Sequence, residues 1–425
     1  MKQPPLITPR EVDVPRAQRH TLPNGASLYA IPSDDFEVLR FTFVFRAGSS
    51  MQHAPFAASA TANMLSEGSR DMTARQIAEQ LDFYGSYFEV NVDRDYVYIS
   101  FSSLSKFFGP TLEVAEQILL QPLFPEDELR AYCEKRKQTL TIERRKVDTV
   151  VREIFAEALF GDKHPYGISY PEKDYDTLTR ADLESLYRRL YTAENCLVVC
   201  SGRIGEEELQ GIGALAEKLP RADRSATADF PAPRSEAYRF VERPDAVQSS
   251  LRVGRLLFTR THPDFVGMQV VATVLGGYFG SRLMQNLRGE HGYTYGVGAA
   301  MVNFEREGYL GIAAQVGAEV TAPALREIYN EIERLRREPM PEEELSLVKN
   351  IMTGEVMRIL DGPFGIADVT IENLLCGTNT GVIEENIRRI QAITPAEVQR
   401  LAVKYLRRED LITAVVGAVD PKHEI

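Results

Sequence analysis

Two stretches of this sequence follow one pattern: TRADLESLYRRLYTAENCLVVCSG at residues 179–202 and TPAEVQRLAVKYLRREDLITAVVG at residues 394–417. Each begins with a threonine (Thr179 or Thr394) and has an acid three residues later, which is typical of a capped helix N-terminus. Apolar residues then recur at helical spacing, and an apolar run of strand character ends at a glycine. The two stretches lie 215 residues apart and predict a repeated helix–strand unit.

A second pair of segments supports a duplication. Residues 124–129 read FPEDEL and residues 340–345 read MPEEEL, at an offset of 216 residues. In each, a proline and acids begin a charged helix, where the missing N–H costs little and the helix dipole favours anions. Two pairs at nearly one offset predict a duplicated domain. The proline-rich residues 219–237 are the expected linker, so we expect one domain over residues 1–218 and another over residues 238–425.

Both strands and helices are predicted within each half. Asn24-Gly25 predicts a hairpin turn, and the alternation of Phe41, Phe43 and Phe45 predicts a half-buried strand. The helices predicted in the first half cover 55–67, 73–84, 108–120, 125–146, 149–160 and 179–191. The glycine-rich stretch 275–281 lacks the Gly-Lys-Ser/Thr ending of a phosphate loop and predicts a tight turn before a helix. The expected fold class is α+β, with two duplicated domains, each a mostly antiparallel sheet packed by helices on one face.

Composition excludes several classes of function. A net charge of −12 argues against non-specific binding to nucleic acid or to an anionic membrane. No run of about 18 apolar residues is long enough to span a bilayer. The first ten residues have no apolar core of a signal peptide. We therefore expect a cytoplasmic protein that contacts neither nucleic acid nor membrane.

Several short strings carry a resemblance to a known family. They are LPNG at 22–25, FRAG at 45–48, MLSEGS at 64–69, HPYG at 164–167, LGGYFGSRL at 275–283 and LRGEHGYTYGV at 287–297. In this order and in a duplicated chain, they resemble the pitrilysin and mitochondrial-processing-peptidase family of zinc peptidases, also called inverzincins. The resemblance spans essentially the whole chain. It implies the metallohydrolase fold of the processing peptidases.

Active members of that family carry an inverted zinc motif, His-x-x-Glu-His, on a helix. The i, i+4 spacing puts both imidazoles on one face, and the glutamate serves as general base for the zinc-bound water. The resemblance aligns this motif with residues 56–69. Ser59 stands in place of the first histidine, Ala62 in place of the glutamate and Asn63 in place of the second histidine. A further glutamate ligand, 76 positions beyond the second histidine, is replaced by Thr139. Since these side chains suit neither zinc binding nor proton transfer, we expect no metal and no catalysis by this chain alone.

Other candidate ligands do not restore the site. No two of the six histidines lie within one helical turn, and His53 precedes the predicted helix. Glu143 lies near the third-ligand position, but it is interpreted as a solvated helix charge because glutamate is rarely buried. Cys196 and Cys200 share one face of a predicted strand and are interpreted as buried core thiols.

The second half retains a pair that the family uses on substrate. Its C-terminal domain supplies an arginine and a tyrosine seven residues apart, and Arg288 and Tyr295 match this spacing. A tyrosine hydroxyl donates to a developing oxyanion, and a guanidinium holds a substrate carbonyl. The alternative is that Tyr293 and Tyr295 are ordinary strand aromatics and that Arg288 is a surface ion-pair partner. The family resemblance favours the role in substrate binding.

These features favour a non-catalytic, metal-free subunit of a zinc metallopeptidase heterodimer. An active homologue with an intact His-x-x-Glu-His motif is expected to supply the zinc. This chain would supply Arg288, Tyr295 and half of a chamber for small or unfolded peptides, and a homodimer is the alternative assembly. Two other functions remain open. One is a structural or binding protein like the core subunits of the respiratory cytochrome bc complex, and the other is a self-sufficient zinc peptidase with a non-standard metal site.

Overall fold

The structure, a computed structural model, describes residues 14–222 and 230–425. The N-terminal segment on which the absence of a signal peptide was predicted lies outside the described residues. So do residues 223–229 of the predicted linker, and the domain limits at 218 and 238 therefore stay a prediction.

The first half contains a six-stranded sheet. Its strands are β1 (Gln18–Thr21), β2 (Ser27–Pro32), β3 (Val38–Phe45), β4 (Tyr87–Val92), β5 (Val97–Leu104) and β6 (Cys196–Gly202). They lie in the order β1-β2-β6-β3-β5-β4. Neighbouring strands are antiparallel except for β2 and β6. The predicted Asn24-Gly25 turn joins β1 to β2, and Phe41, Phe43 and Phe45 are buried along β3.

The second half repeats this sheet with one strand fewer. Its strands are β7 (Tyr238–Glu242), β8 (Gln248–Leu257), β9 (Thr294–Asn303), β10 (Gly308–Gly317) and β11 (Ile412–Gly417). The order β7-β11-β8-β10-β9 matches β2-β6-β3-β5-β4 strand for strand, and β7–β11 is again the parallel pair. This correspondence confirms the predicted duplication. It also makes β4 and β9 equivalent edge strands.

Thirteen α-helices cover the sheets within the described ranges. They are α1 (Ala57–Asn63), α2 (Ala74–Tyr84), α3 (Phe108–Leu120), α4 (Glu126–Glu143), α5 (Val147–Phe160), α6 (Arg180–Leu190), α7 (Glu206–Glu217), α8 (Phe265–Ala272), α9 (Thr321–Arg337), α10 (Glu342–Ile359), α11 (Pro363–Leu375), α12 (Gly381–Ala392) and α13 (Pro395–Tyr405). None of them combines the length and the apolar character needed to cross a bilayer.

The predicted caps form at the ends of the repeated unit. The Thr179 hydroxyl accepts a hydrogen bond from the Asp182 amide at 3.3 Å, and the Asp182 carboxylate accepts from the Thr179 amide at 2.9 Å. Thr394 caps α13 in the same way through the Glu397 amide, also at 3.3 Å. Pro125 and Pro341 likewise precede α4 and α10, whose first turns are acidic. Local sequence signals therefore fix these helix starts.

The two halves exchange one helix each. Val151, Phe155 and Leu159 of α5, a first-half helix, form a core with Ala414 and Val416 of the second sheet. Conversely, α11 of the second half packs on the first sheet, where Ile366, Ala367 and Ile371 meet Ile31, Val44 and Val199. Each sheet thus has its own helices on one face, as predicted. The helix on its other face comes from the opposite half, which the sequence did not predict.

Candidate functional site

The helix expected to carry the zinc motif lies beside the edge strand of the first sheet. α1 packs against β4 and α6, and a single 3₁₀ turn at Met64–Ser66 follows it. Phe56 precedes α1 with a φ of 63°, a left-handed conformation that is costly for a bulky side chain. Its ring stacks on that of Tyr175 with centroids 3.9 Å apart. The aromatic stack holds the strained residue and thereby sets where α1 begins.

The four positions that replace the zinc ligands and the general base do not fit a metal ion. The Ser59 hydroxyl donates to the Phe56 carbonyl at 3.0 Å, and the Asn63 amide donates to the Ser59 carbonyl at 2.7 Å. The Thr139 hydroxyl donates to the Lys135 carbonyl at 2.9 Å. Each polar side chain is therefore engaged by the backbone of its own helix. Ala62 is 0% exposed and belongs to the main core of the first half.

The other candidate ligands also lie elsewhere. His53 points to Asp182, with 3.5 Å between Nε2 and Oδ1, and Glu143 is an exposed residue at the end of α4. Cys196 and Cys200 are free, buried thiols of β6, and burial raises the pKa of Cys200 to about 12. Over residues 14–222 and 230–425, no group of three or more His, Cys, Asp or Glu side chains is arranged to hold a metal ion.

A cavity of about 180 Å³ lies at this place in the first half. Ser59 and Phe56 line one side of it, and Arg94 and Arg144 line another. The Arg144 guanidinium is paired with Glu153, with Nε 3.0 Å from Oε1, and with Glu172 at 3.1 Å. The position of the first zinc histidine thus faces a small cavity with arginine in its wall.

The second-half pair comes together at the equivalent edge. Arg288 lies in a π-helical turn at Met284–Glu290, and Tyr295 is the second residue of β9. The Arg288 Nη1 donates to the Tyr295 carbonyl at 2.9 Å, and the guanidinium carbon lies 4.7 Å from the centre of the Tyr295 ring. Tyr295 is 88% exposed. The structure therefore places the predicted arginine and tyrosine in direct contact at the surface.

Phe279 is a third member of this cluster that the sequence analysis did not select. Its ring centre lies 4.8 Å from the Arg288 guanidinium carbon, and its side chain is 73% exposed. Arg288 is thus sandwiched between two aromatic rings. A Cβ on Gly276 would lie 2.5 Å from the Ala299 amide nitrogen, so only glycine permits this turn to approach β9. The sequence signal that could have identified Phe279 was an aromatic residue within the glycine-rich turn 276–280.

Fold and site together define a class of protein. Two equivalent sheets each place a helical segment beside an edge strand, and the segment in the first half is the one that the sequence predicts to be a zinc-binding helix without its ligands. The class is that of a peptidase-like protein built on a duplicated metallohydrolase fold.

Comparison with known proteins narrows this class. Residues 177–352 match the family model described as the peptidase M16 inactive domain. The uncharacterized zinc protease YmxG of Bacillus subtilis is 22% identical over 364 residues, which cover 84% of this chain and 86% of that protein. The probable mitochondrial-processing peptidase subunit beta of Arabidopsis thaliana is 21% identical over 428 residues, covering 96% and 80%.

A solved structure shares the fold. The crystal structure of a peptidase M16 inactive domain from Pseudomonas fluorescens superposes with a TM-score of 0.86 at 23% identity, over 95% of this chain and 98% of that chain. Residues 177–352 thus match the M16 family of zinc peptidases, the pitrilysin and mitochondrial-processing-peptidase family, and the chain as a whole resembles proteins named as zinc proteases in sequence and an M16 domain in fold.

Proposed function

We propose that this chain is the metal-free subunit of a cytoplasmic zinc metallopeptidase heterodimer. A homologous partner with an intact His-x-x-Glu-His motif would hold the zinc and the general base. The observation that carries the proposal is the contrast between Ala62, sealed in the core, and the Arg288–Tyr295 pair, presented to solvent. The chain has given up the metal and has kept the groups that act on substrate.

The exposed pair has the chemistry for this task. A tyrosine hydroxyl aimed at the oxygen of a peptide carbonyl stabilises the negative charge that develops when water attacks. Arg288 binds the Tyr295 backbone through one nitrogen, which fixes its position, and its remaining N–H groups are available to a second substrate carbonyl. The rings of Phe279 and Tyr295 hold the cation between them. We propose that both residues act on a substrate bound in the partner's active site.

Edge strands provide the expected peptide-binding mode. Within the described ranges, β4 pairs only with β5 and β9 pairs only with β10. An extended peptide adds to such an edge through main-chain hydrogen bonds, which give affinity with little dependence on sequence. Small or unfolded peptides fit this mode because their backbone can extend along the whole edge of the sheet. The chain would form half of the chamber around them.

The assembly is proposed from a relative. The Arabidopsis protein is named as a subunit of the mitochondrial-processing peptidase, and its alignment covers 96% of this chain. A pairing of two homologous chains gives a metal-free subunit a reason to keep substrate-binding groups. A homodimer in the absence of the partner is the alternative assembly.

Replacement of one hydroxyl tests the proposal. In the complex with a His-x-x-Glu-His homologue from the same genome, Tyr295→Phe should lower kcat on an unfolded peptide by about 100-fold, since one oxyanion donor is lost. Tyr293→Phe is the matched control, because this ring packs against the second-half core two residues away. Equal activity of Tyr295→Phe, Arg288→Ala and the unaltered chain would instead support a structural role like that of the cytochrome bc core subunits.

A further inference from the structure

Arg94 is a charged side chain in the cavity of the first half that makes no hydrogen bond or close ion pair with the described residues. It lies in the turn between β4 and β5, is partly buried, and lines the 180 Å³ cavity next to Ser59. Over residues 14–222 and 230–425, no hydrogen bond or ion pair holds its guanidinium. Burial lowers the pKa of Arg94, and Asp95 and Glu153 attract its charge without a hydrogen bond to it. A guanidinium with unused N–H donors in a cavity is suited to binding an anion.

The acids on either side of Arg94 are committed to other donors. Asp93 accepts from the amides of Asp95 and Tyr96 at 2.7 and 2.6 Å. Asp95 accepts from the Tyr166 hydroxyl at 2.6 Å and, across the two halves, from the Glu305 amide at 2.7 Å. Neither carboxylate forms an ion pair with Arg94, although Asp95 attracts its charge from a greater distance.

The neighbouring charges in the cavity wall are also paired. Arg144 is held by two carboxylates, and its Nη2 donates to the Ser169 hydroxyl and to the Tyr170 carbonyl, each at 2.8 Å. Glu153, the carboxylate of the cavity lining, receives the Arg144 Nε at 3.0 Å. The Arg144 charge is thus satisfied within the wall. Among the described residues, Arg94 is consequently the guanidinium of this lining whose N–H groups are not hydrogen-bonded, although Asp95 and Glu153 attract its charge.

The turn that carries Arg94 is rigidly placed. The Gly48 amide donates to the Asp95 carbonyl at 3.0 Å, and the Ser50 amide donates to the Arg94 carbonyl at 2.7 Å. A Cβ on Gly48 would lie 2.6 Å from the Arg94 carbonyl, so the two segments are in closest backbone contact. The backbone that carries Arg94 is therefore fixed before any ligand arrives, which lowers the entropy lost on binding.

We infer that this cavity binds a carboxylate group, which a peptide presents as its C-terminus or as an acidic side chain. The planar guanidinium of Arg94 matches a carboxylate in two-pronged geometry. Ser49, Ser59 and Ser169 also line the cavity, and Leu140 and Ile168 provide an apolar wall for the attached carbons. The cavity, at about 180 Å³, is several times larger than the volume of about 30 Å³ that one water molecule takes up in the liquid. The choice of a peptide as carrier rests on the proposed function, whereas recognition of the carboxylate by Arg94 does not.

The test uses the purified full-length chain and three N-acetylated hexapeptides of one apolar sequence, with affinities measured by titration calorimetry. The first peptide has a free C-terminus, the second is amidated, and the third is amidated and carries one internal glutamate. At least one acidic peptide should bind ~10-fold more tightly than the neutral one, as for a hydrogen bond to a charged group. The acidic peptide that binds identifies the source of the carboxylate. Equal affinities, or no binding of any peptide, would overturn the inference.

Variants of Arg94 locate the effect. Arg94→Gln should abolish the preference for the acidic peptide, whereas Arg145→Gln removes the same charge from an exposed residue near the cavity and should keep it. Arg94→Met should melt no lower than the unaltered chain, because it removes a buried charge that makes no hydrogen bond or close ion pair. A clear fall in its melting temperature would reveal a structural role and contradict the inference. Since no partner subunit takes part, failure here leaves the heterodimer proposal intact.

Discussion

The helix α1 of the first half and the Phe279–Arg288–Tyr295 cluster of the second half both lie beside equivalent edge strands, β4 and β9, yet they differ in burial and in their contacts. In α1, the positions predicted to replace the zinc ligands are closed by packing. Ala62 is fully buried, and the Ser59 and Asn63 side chains bind the helix backbone. The cluster remains open to solvent, with two exposed aromatic rings around one cation.

The difference separates folding from function. A buried alanine-rich helix contributes to stability whatever the chain does. An exposed cation–π contact is worth only about 0.5–1 kcal/mol, so stability alone is a weak reason to keep three such residues together. This difference supports a structural role for α1 and the proposed role in recognition for the second-half cluster. Substitutions in α1 should therefore lower stability, and substitutions in the cluster should lower activity.

The largest expected effect is on stability, in the first half. Ala62→Glu restores the residue type of the catalytic base but puts an unpaired carboxylate into a filled core. It should lower the free energy of unfolding by about 3 kcal/mol, as measured by urea denaturation. Asn63→Glu, one position away and exposed, is the matched control and should change it by less than about 0.5 kcal/mol. Equal stabilities of the two variants would show that the site has kept room for the base.

The second effect is on activity, in the second half. Phe279→Ala removes one of the two rings around Arg288 and should lower kcat/KM of the heterodimer by about 10-fold, because the guanidinium loses its fixed position. The free energy of unfolding should change by less than about 1 kcal/mol. The control is Phe83→Ala, an equally exposed phenylalanine of the first half. A large loss of stability with unchanged kcat/KM would reverse the roles assigned to the two regions.

The smallest effect concerns the interface between the halves, where His164 is 2% exposed. Its Nδ1 accepts a hydrogen bond from the Tyr166 amide at 3.1 Å, and burial lowers the pKa of His164. The folded state thus holds a neutral imidazole, while the unfolded state takes up a proton as the pH falls below about 6.5. Stability should therefore decrease from pH 7 to pH 5, and His164→Gln should reduce that slope in urea titrations.

His262 offers a matched comparison for this prediction. Its Nδ1 accepts the same kind of bond, from the Asp264 amide at 3.0 Å, but its ring is partly exposed. His262→Gln should leave the pH dependence of unfolding closer to that of the unaltered chain. If both variants reduced the pH dependence of the free energy of unfolding equally, burial at His164 would not control that dependence.

Features written in local sequence were predictable. The caps at Thr179 and Thr394 and the strands ending at Gly202 and Gly417 follow from a few adjacent residues, and the structure confirms them. The strand-for-strand repeat followed from their common offset. Arg288 and Tyr295 could be selected only through a family resemblance, because their seven-residue spacing alone does not predict that they are in contact.

Features that depend on distant partners were not predictable. The apolar face of α5 shows that the helix is buried, but no local signal tells which sheet it meets. Phe279 looked like part of a turn because exposure is a property of the whole fold. Arg94 stands between two acids in the sequence, yet in the structure both acids accept hydrogen bonds from other donors and none from Arg94.

The division of the active site between two chains is the central claim, and zinc content measured together with peptide cleavage tests it most directly. The purified chain, its partner and their mixture would be compared by metal analysis and by hydrolysis of one unfolded peptide. We predict no stoichiometric zinc and no cleavage for this chain alone, and full activity only in the mixture, where the zinc belongs to the partner. Stoichiometric zinc and cleavage by the chain alone would contradict the account.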